Sequence, residues 1–160
     1  MSNLFVHPFE HKAWANAELF EILIAHDGEN SPKGWKLATR LMNHLYVVDR
    51  IFIGHLSGVA HGYTATNTPE TPLLTALRDQ TAETDRWWLD FVDSLQAEQG
   101  LNIIEFTFTD GKAGRMSVND MLFHVLTHGS YHRGMIGKIL SEAKISAPRD
   151  ILTGYLHRES

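Results

Sequence analysis

Apolar side chains recur every three or four residues through four long stretches of the 160-residue chain. This spacing places them on one face of an α-helix, whereas a β-strand would show strict alternation. The predicted helices cover residues 9–26, 31–57, 71–100 and 117–143, and glycine, proline or serine signals mark their ends. Four amphipathic helices of this length predict an all-α four-helix bundle with one or two long crossovers, built as a single domain over residues 1–160.

Two connections depart from the helical pattern. Residues 103–116 alternate bulky and polar side chains around Asp110-Gly111, which predicts a short β-hairpin before helix four. Residues 58–72 are rich in glycine, threonine and proline, and they exceed the length of an ordinary connection. We expect this crossover to cover one end of the bundle. A further short helix is predicted after Pro148.

Charge and composition restrict the partners. The net charge of −5 and the pI of about 6.0 favour neither nucleic acid nor an anionic membrane, so we expect a small-molecule substrate or a protein partner. Because the chain has no cysteine, any metal must be held by histidine and carboxylate. The N-terminal residues show no basic segment leading into an apolar one, and no apolar run is long enough to span a membrane. We therefore expect a cytoplasmic protein.

Ten histidines are the main compositional bias, and three of them follow one another at steps of four on predicted helix four. These are His124, His128 and His132. Two imidazoles at i and i+4 could share one metal ion, but the outer two of three lie about 12 Å apart along the axis. A third ligand must therefore come from elsewhere in the chain, and His44 on the apolar face of helix two is a candidate. The spacing leaves open that all of them are core or surface histidines without a metal.

Three blocks of sequence extend this interpretation: WANAELF, LMNHLYVVDRIFIGHLSG, and HVLTHGSYHRGMIGKIL with the stretch from Pro148 to Asp150 behind it. In order and spacing they resemble the DinB (damage-inducible B) family of small helical bundles over nearly the whole chain. The resemblance implies a divalent metal held by His44, His128 and His132, with His124 as a supporting residue beside the site. Such a ligand set suits zinc or nickel, with iron, cobalt and manganese as alternatives.

Three imidazoles leave at least one coordination position open for water or substrate. Because the resemblance extends to thiol-dependent transferases, we expect a metal-dependent transferase or hydrolase acting on a small molecule, with a low-molecular-weight thiol as a candidate cofactor. The alternative is a non-catalytic metal- or ligand-binding bundle of a stress response. A zinc protease of the H-E-x-x-H type is excluded, because Gly129 stands where the glutamate would be. His55 and His61 are expected to be ordinary core or surface residues, although either could reach the mouth of a site.

Small residues form a second face of helix four: Ser130, Gly134, Gly137 and Ser141. Glycine lowers helix propensity, so this face should pack closely against something. A neighbouring helix of the same bundle is the first expectation, and the same helix of a second subunit is the alternative, since the resemblance implies a homodimer. Gly129 is expected to leave room for the metal or substrate, and Arg133 to pair with Asp150.

Overall fold

The computed structural model describes residues 4–158, and the predicted domain of residues 1–160 extends beyond them at both ends. The four long helices are α1 (Val6–Ala25), α2 (Trp35–Ser57), α3 (Leu74–Ser94) and α4 (Val118–Glu142). Between α3 and α4 lie a 3-10 turn (Gln99–Leu101) and the strands β1 (Ile103–Thr107) and β2 (Ala113–Ser117), and a short helix α5 (Leu152–Leu156) follows α4. The predicted helical bundle with a hairpin before the fourth long helix is confirmed. In the described range, no helix combines the length and the apolar character needed to cross a membrane.

The hairpin leads directly into α4. Strand β1 pairs antiparallel with β2, and the turn places Gly111 at φ +87°, a left-handed conformation that glycine adopts without strain. Ser117 ends β2 and caps α4: its hydroxyl accepts from the Asp120 backbone N–H, and the Asp120 carboxylate accepts from the Ser117 backbone N–H, both at 3.1 Å. This capping box fixes the start of the helix at the predicted residue.

Two predicted helix boundaries are wrong by four or more residues, and α1 begins three residues before, and α3 three residues after, its predicted start. Helix three ends at Ser94 instead of Gly100, because Leu95 is extended and the chain then makes a separate 3-10 turn. Helix two begins at Trp35 instead of Ser31. The Ser31 hydroxyl accepts from the Gly28 N–H at 2.8 Å and donates to the Gly28 carbonyl at 2.7 Å, so it closes a local turn and is not available as a cap.

The core consists of two apolar clusters along the length of the bundle. One includes Leu23, Met42, Leu77 and Leu140, and the other includes Phe9, Phe52, Trp88 and Leu122. In chain order, α1 runs from the second cluster to the first, α2 and α3 both run from the first to the second, and α4 returns. Because α2 and α3 run in the same direction, the crossover between them must travel back along the bundle.

The crossover follows the side of α2 and does not cover one end of the bundle, so that expectation is wrong. His61 packs on Gly54, where an added Cβ would lie 2.9 Å from the His61 Cβ and 2.8 Å from a backbone oxygen. Further on, the Thr66 carbonyl reaches His44, and the Glu70 carbonyl accepts from Arg40 at 3.0 Å. Glycine at position 54 thus lets the crossover lie against the helix. From there the crossover runs towards the start of α2 and contacts His44 and then Arg40.

A layer of buried polar side chains separates the two apolar clusters and joins all four long helices. The Lys12 ammonium lies 2.6 Å from the Asp49 carboxylate and 2.5 Å from that of Asp85. Asn16 donates to Asp85 at 2.9 Å and accepts from Arg133 at 3.2 Å. All five side chains are buried, and each charge among them has a partner of opposite sign or a hydrogen bond. The layer therefore restricts how the helices can slide past one another.

Candidate metal centre

Three histidines from two helices converge where α2 packs against α4. His44 lies on α2, and His128 and His132 lie one turn apart on α4. The ring centroid of His44 lies 4.8 Å from that of His128 and 4.7 Å from that of His132. The centroids of His128 and His132 are 4.6 Å apart. Each ring can offer one nitrogen atom such that the three atoms all lie within 4.8 Å of one another. The group could therefore hold a metal ion.

The nitrogen positions of His44 and His128 fit a shared ion. The Nε2 atoms of His44 and His128 are 3.0 Å apart. Two imidazole nitrogens that are each about 2.05 Å from one ion, at angles of about 90–109°, would lie about 2.9–3.3 Å apart. The Nδ1 atom of His44 donates to the Thr66 carbonyl at 2.7 Å, which leaves the Nε2 lone pair directed to the group. Within residues 4–158, the buried Nδ1 atoms of His128 and His132 have no hydrogen-bond partner.

The crossover that holds His44 is itself fixed to α2. Asn43, which is buried, donates to the Thr68 hydroxyl at 2.7 Å. Arg40 donates to the Thr68 carbonyl at 2.6 Å and to the Glu70 carbonyl at 3.0 Å. Sequence reasoning missed these contacts. Two features of the sequence pointed to them. One is the amide side chain of Asn43 immediately before His44, and the other is the number of hydroxyl side chains in the crossover.

The environment favours the neutral form of the His128 and His132 imidazoles. Burial, followed by the effect of the neighbouring His44, His132 and His124 rings, lowers the pKa of His128 to about 3. Burial and His44 also lower the pKa of His132. Because the neutral ring is the form that binds metal, these two histidines can act as ligands at neutral pH. In the part of the chain that the structure describes, no carboxylate joins this group.

The remaining histidines lie near the group but outside it. The His124 ring stacks on His128 with centroids 5.4 Å apart, and it also packs on Phe52 at 4.9 Å. His124 therefore lies against His128, and its supporting role beside a metal site stays a prediction. His55 and His61 contact each other at 5.2 Å and belong to neither the three-histidine group nor its ring contacts.

The glycines of α4 do not have the expected neighbours. A Cβ at Gly129 would lie 2.9 Å from the Nη1 atom of Arg133, so this glycine makes room for the Arg133 guanidinium. The expectation that Gly129 leaves room for the metal or substrate is therefore wrong. The predicted pair of Arg133 with Asp150 is confirmed, with Nε donating to Oδ2 at 2.6 Å. The expectation of close packing within the bundle is also wrong at Gly134, where a Cβ would meet no atom within 4 Å. A Cβ at Gly137 would only touch Ala147, at 4.0 Å.

A cavity of about 280 Å³ opens beside the three histidines, and His44 and His128 form part of its wall. Its other walls are mainly apolar side chains from α2 and the hairpin, among them Val48, Phe106 and Met116. A larger cleft of about 730 Å³ lies near Ser130 and Asp150, and none of the three histidines lines it. The smaller cavity is therefore the one placed to bring a ligand to a bound ion.

The fold and the histidine group together define a helical-bundle protein with a candidate metal centre open to a cavity. The chain matches the DinB family over residues 1–155 of 160, and it belongs to that family. The resemblance noted in the sequence is thereby confirmed. No match is found among curated proteins, nor among solved structures.

Proposed function

We propose that the protein is a metal-dependent enzyme that acts on a small molecule at one divalent ion held by His44, His128 and His132. The observation that carries the proposal is that two of these histidines also line the adjacent cavity. A structural ion is typically enclosed by four protein ligands, whereas three imidazoles beside a cavity leave a position for an exchangeable ligand. Zinc and nickel suit the donor set, and iron, cobalt and manganese are the alternatives.

The reaction class follows from the donors. When bound, the ion would lower the pKa of a coordinated water or thiol and so supply a nucleophile near neutral pH. The protein's own part is to orient His44 through the Thr66 carbonyl and to surround the reacting group with apolar side chains. We propose a thiol-dependent transfer, with a low-molecular-weight thiol as the cofactor, or a hydrolysis. His124 supports the His128 ring by stacking on it.

Metal content per chain, measured by mass spectrometry on untagged protein purified without chelator, tests the site. We expect about one divalent ion per chain, lost in His132→Ala and retained in His26→Ala, which removes an exposed histidine at the end of α1. Protein that contains no ion, and binds none when zinc or nickel is added, would overturn the proposal.

Turnover is tested separately. Metal-loaded protein is assayed for transfer of a low-molecular-weight thiol to an electrophile and for ester hydrolysis, with His132→Ala as the matched inactive variant. A loaded protein that catalyses neither reaction would favour the alternative, a non-catalytic metal- or ligand-binding bundle of a stress response.

We also propose that the chain forms a homodimer through one exposed face of α4. Three large apolar side chains are exposed there: Phe123 at 64%, Tyr131 at 70% and Met135 at 41%. They follow one helical stripe beside Gly134, whose lack of neighbours leaves space for a second helix to approach. An exposed apolar stripe of this kind is typical of a protein interface.

A further inference from the structure

The cavity beside the three histidines runs lengthwise along α2. His44, Val48, Ile51 and His55 all line it, and their spacing places them on one side of the helix. Over these residues the helix axis rises by about 16 Å, at about 1.5 Å per residue. The cavity therefore has one end at the histidine group and another end near His55.

The walls of the cavity carry no fixed charge. Among the described residues that line it there is no lysine, arginine, aspartate or glutamate, and its middle is formed by side chains such as Val48, Phe52 and Met116. Away from the ion proposed at the histidine group, a phosphate or carboxylate would find no cation in these walls, and an ammonium group would find no acid, so burying either there would be costly. The volume of about 280 Å³ lies near the lower limit for small-molecule sites. The lining thus favours a small, uncharged and largely apolar ligand.

The end of the cavity at His55 has a hydrogen-bonding group without a protein partner. The His55 ring packs on Phe106 at 4.5 Å and meets the edge of His61 at 5.2 Å. The Nδ1 atom of His61 accepts the Tyr63 backbone N–H at 3.0 Å, which fixes that ring. Within residues 4–158, the nitrogens of His55 make no hydrogen bond. Half-buried polar atoms at the end of an apolar cavity are free to pair with a ligand.

Burial, followed by the effect of His61, lowers the pKa of His55. The ring is therefore neutral at pH 7, with one nitrogen that donates and one that accepts. A neutral imidazole pairs with a hydroxyl or carbonyl group without requiring a charge on the ligand.

We propose that this cavity binds an elongated, uncharged and largely apolar small molecule, with its reactive group at the three histidines and a polar group bound by His55. The placement of the reactive group rests on the proposed function. The choice of an uncharged ligand and the role of His55 rest on the cavity alone.

Titration of ¹⁵N-labelled protein, followed by amide chemical shifts, tests the ligand class. The probes are 4-propylphenol, propylbenzene and 4-propylbenzoate, which share a shape and differ in the polar group. We expect 4-propylphenol to shift amides around Val48 and Phe106. In His132→Ala, which should hold no ion that a carboxylate could ligate, 4-propylbenzoate should bind at least about tenfold more weakly than 4-propylphenol, since its charge would be buried unpaired. Equal or tighter binding of the benzoate by His132→Ala, or no shifts around the cavity, would overturn the proposal.

Substitution of His55 tests its role. His55→Phe should weaken 4-propylphenol about 2- to 13-fold, the net effect of one hydrogen bond, and leave propylbenzene unchanged. His55→Gln, which can still form a hydrogen bond, should retain more of the binding, and His157→Phe, at an exposed histidine after α5, should match the parent. If His55→Phe weakens both probes equally, or neither, the assignment of His55 is wrong.

The same titration with His132→Ala separates this inference from the proposed function. His132 belongs to the histidine group but does not line the cavity. We expect the variant to lose the ion and to keep its affinity for 4-propylphenol. Binding of the probe by a parent protein that holds no metal would overturn only the proposed function, whereas a metal-loaded parent that does not bind the probe would overturn only the inference made here.

Discussion

The Nε2 atoms of His44 and His128 lie 3.0 Å apart, although 84 residues separate the two histidines in the sequence. Helix α2 brings one ring and α4 the other, and the crossover holds His44 from behind through the Thr66 carbonyl. The geometry of the candidate metal centre therefore depends on contacts that lie outside the three rings.

Asn43→Ala should weaken metal binding although Asn43 is not a proposed ligand. Loss of its hydrogen bond to Thr68 frees the segment that orients His44. We expect the dissociation constant for zinc to rise about 10- to 100-fold, as measured by competition with a chromophoric chelator. Asn102→Ala, at an exposed position, is the control and should match the parent. Equal affinity in both variants would show that the crossover does not orient the site.

The metal-free protein should lose stability in mild acid. The pKa of His128 is lowered from 6.5 to about 3 by burial and the neighbouring imidazoles, so the unfolded chain takes up a proton at a higher pH than the folded one does. The free energy of unfolding should be fully retained above pH 6.5 and fall as the pH decreases towards 3. Urea unfolding at several pH values measures this. His128→Gln should flatten the dependence and the exposed His26→Gln should not, and parallel curves for all three proteins would contradict the assignment.

Lys12→Met should destabilise the fold strongly. The substitution leaves Asp49 and Asp85 buried without their cation, and burial already raises the pKa of Asp49. Removing one member of a buried ion cluster costs about 3–5 kcal/mol, which urea unfolding would measure. The matched control is Lys138→Met, which removes an exposed pair with Glu142 and should cost at most about 1 kcal/mol. A loss at Lys12 no larger than at Lys138 would mean that the polar layer does not hold the helices together.

Gly129→Ala and Gly137→Ala should change stability in opposite directions. At Gly129 the new methyl group would lie 2.9 Å from the Arg133 guanidinium, which Asp150 and Asn16 hold in place, so we expect a loss of about 1–3 kcal/mol. At Gly137 the methyl group reaches only ordinary contact distance, and better helix propensity should add about 0.5–1 kcal/mol. Thermal and urea unfolding at one protein concentration compare the two. A stabilised Gly129→Ala would show that Arg133 moves freely.

Gly134→Leu should dissociate the proposed dimer. A leucine there projects from the exposed stripe of α4, where a Cβ meets no atom of its own chain, so it leaves the subunit intact and blocks the approach of a second helix. Light scattering would measure the molar mass, which should fall from two chains to one. Leu73→Ala, at an exposed residue before α3, is the control. A parent that is monomeric, or a dimer that persists in Gly134→Leu, would exclude this face as the interface.

Much of the fold was predictable because its signals are local. Helical spacing, the Asp110-Gly111 turn and the Ser117–Asp120 capping box each depend on residues within a few positions of one another. The pair His128 and His132 is equally local, since one turn of helix places both rings on the same surface. The third histidine was selected through the family resemblance, because nothing near His44 in the sequence shows which side chain of α4 it meets.

By itself, the sequence determined the helices, the hairpin, the family and the histidine pair on α4, because short-range backbone and side-chain preferences dictate them. Only the tertiary structure decided that the crossover follows α2 and orients His44, that Gly129 accommodates Arg133, and that Lys12 lies between two carboxylates. Each of these contacts joins separate elements of the chain. They form because burying the apolar faces forces the buried polar groups of those elements to become one another's partners.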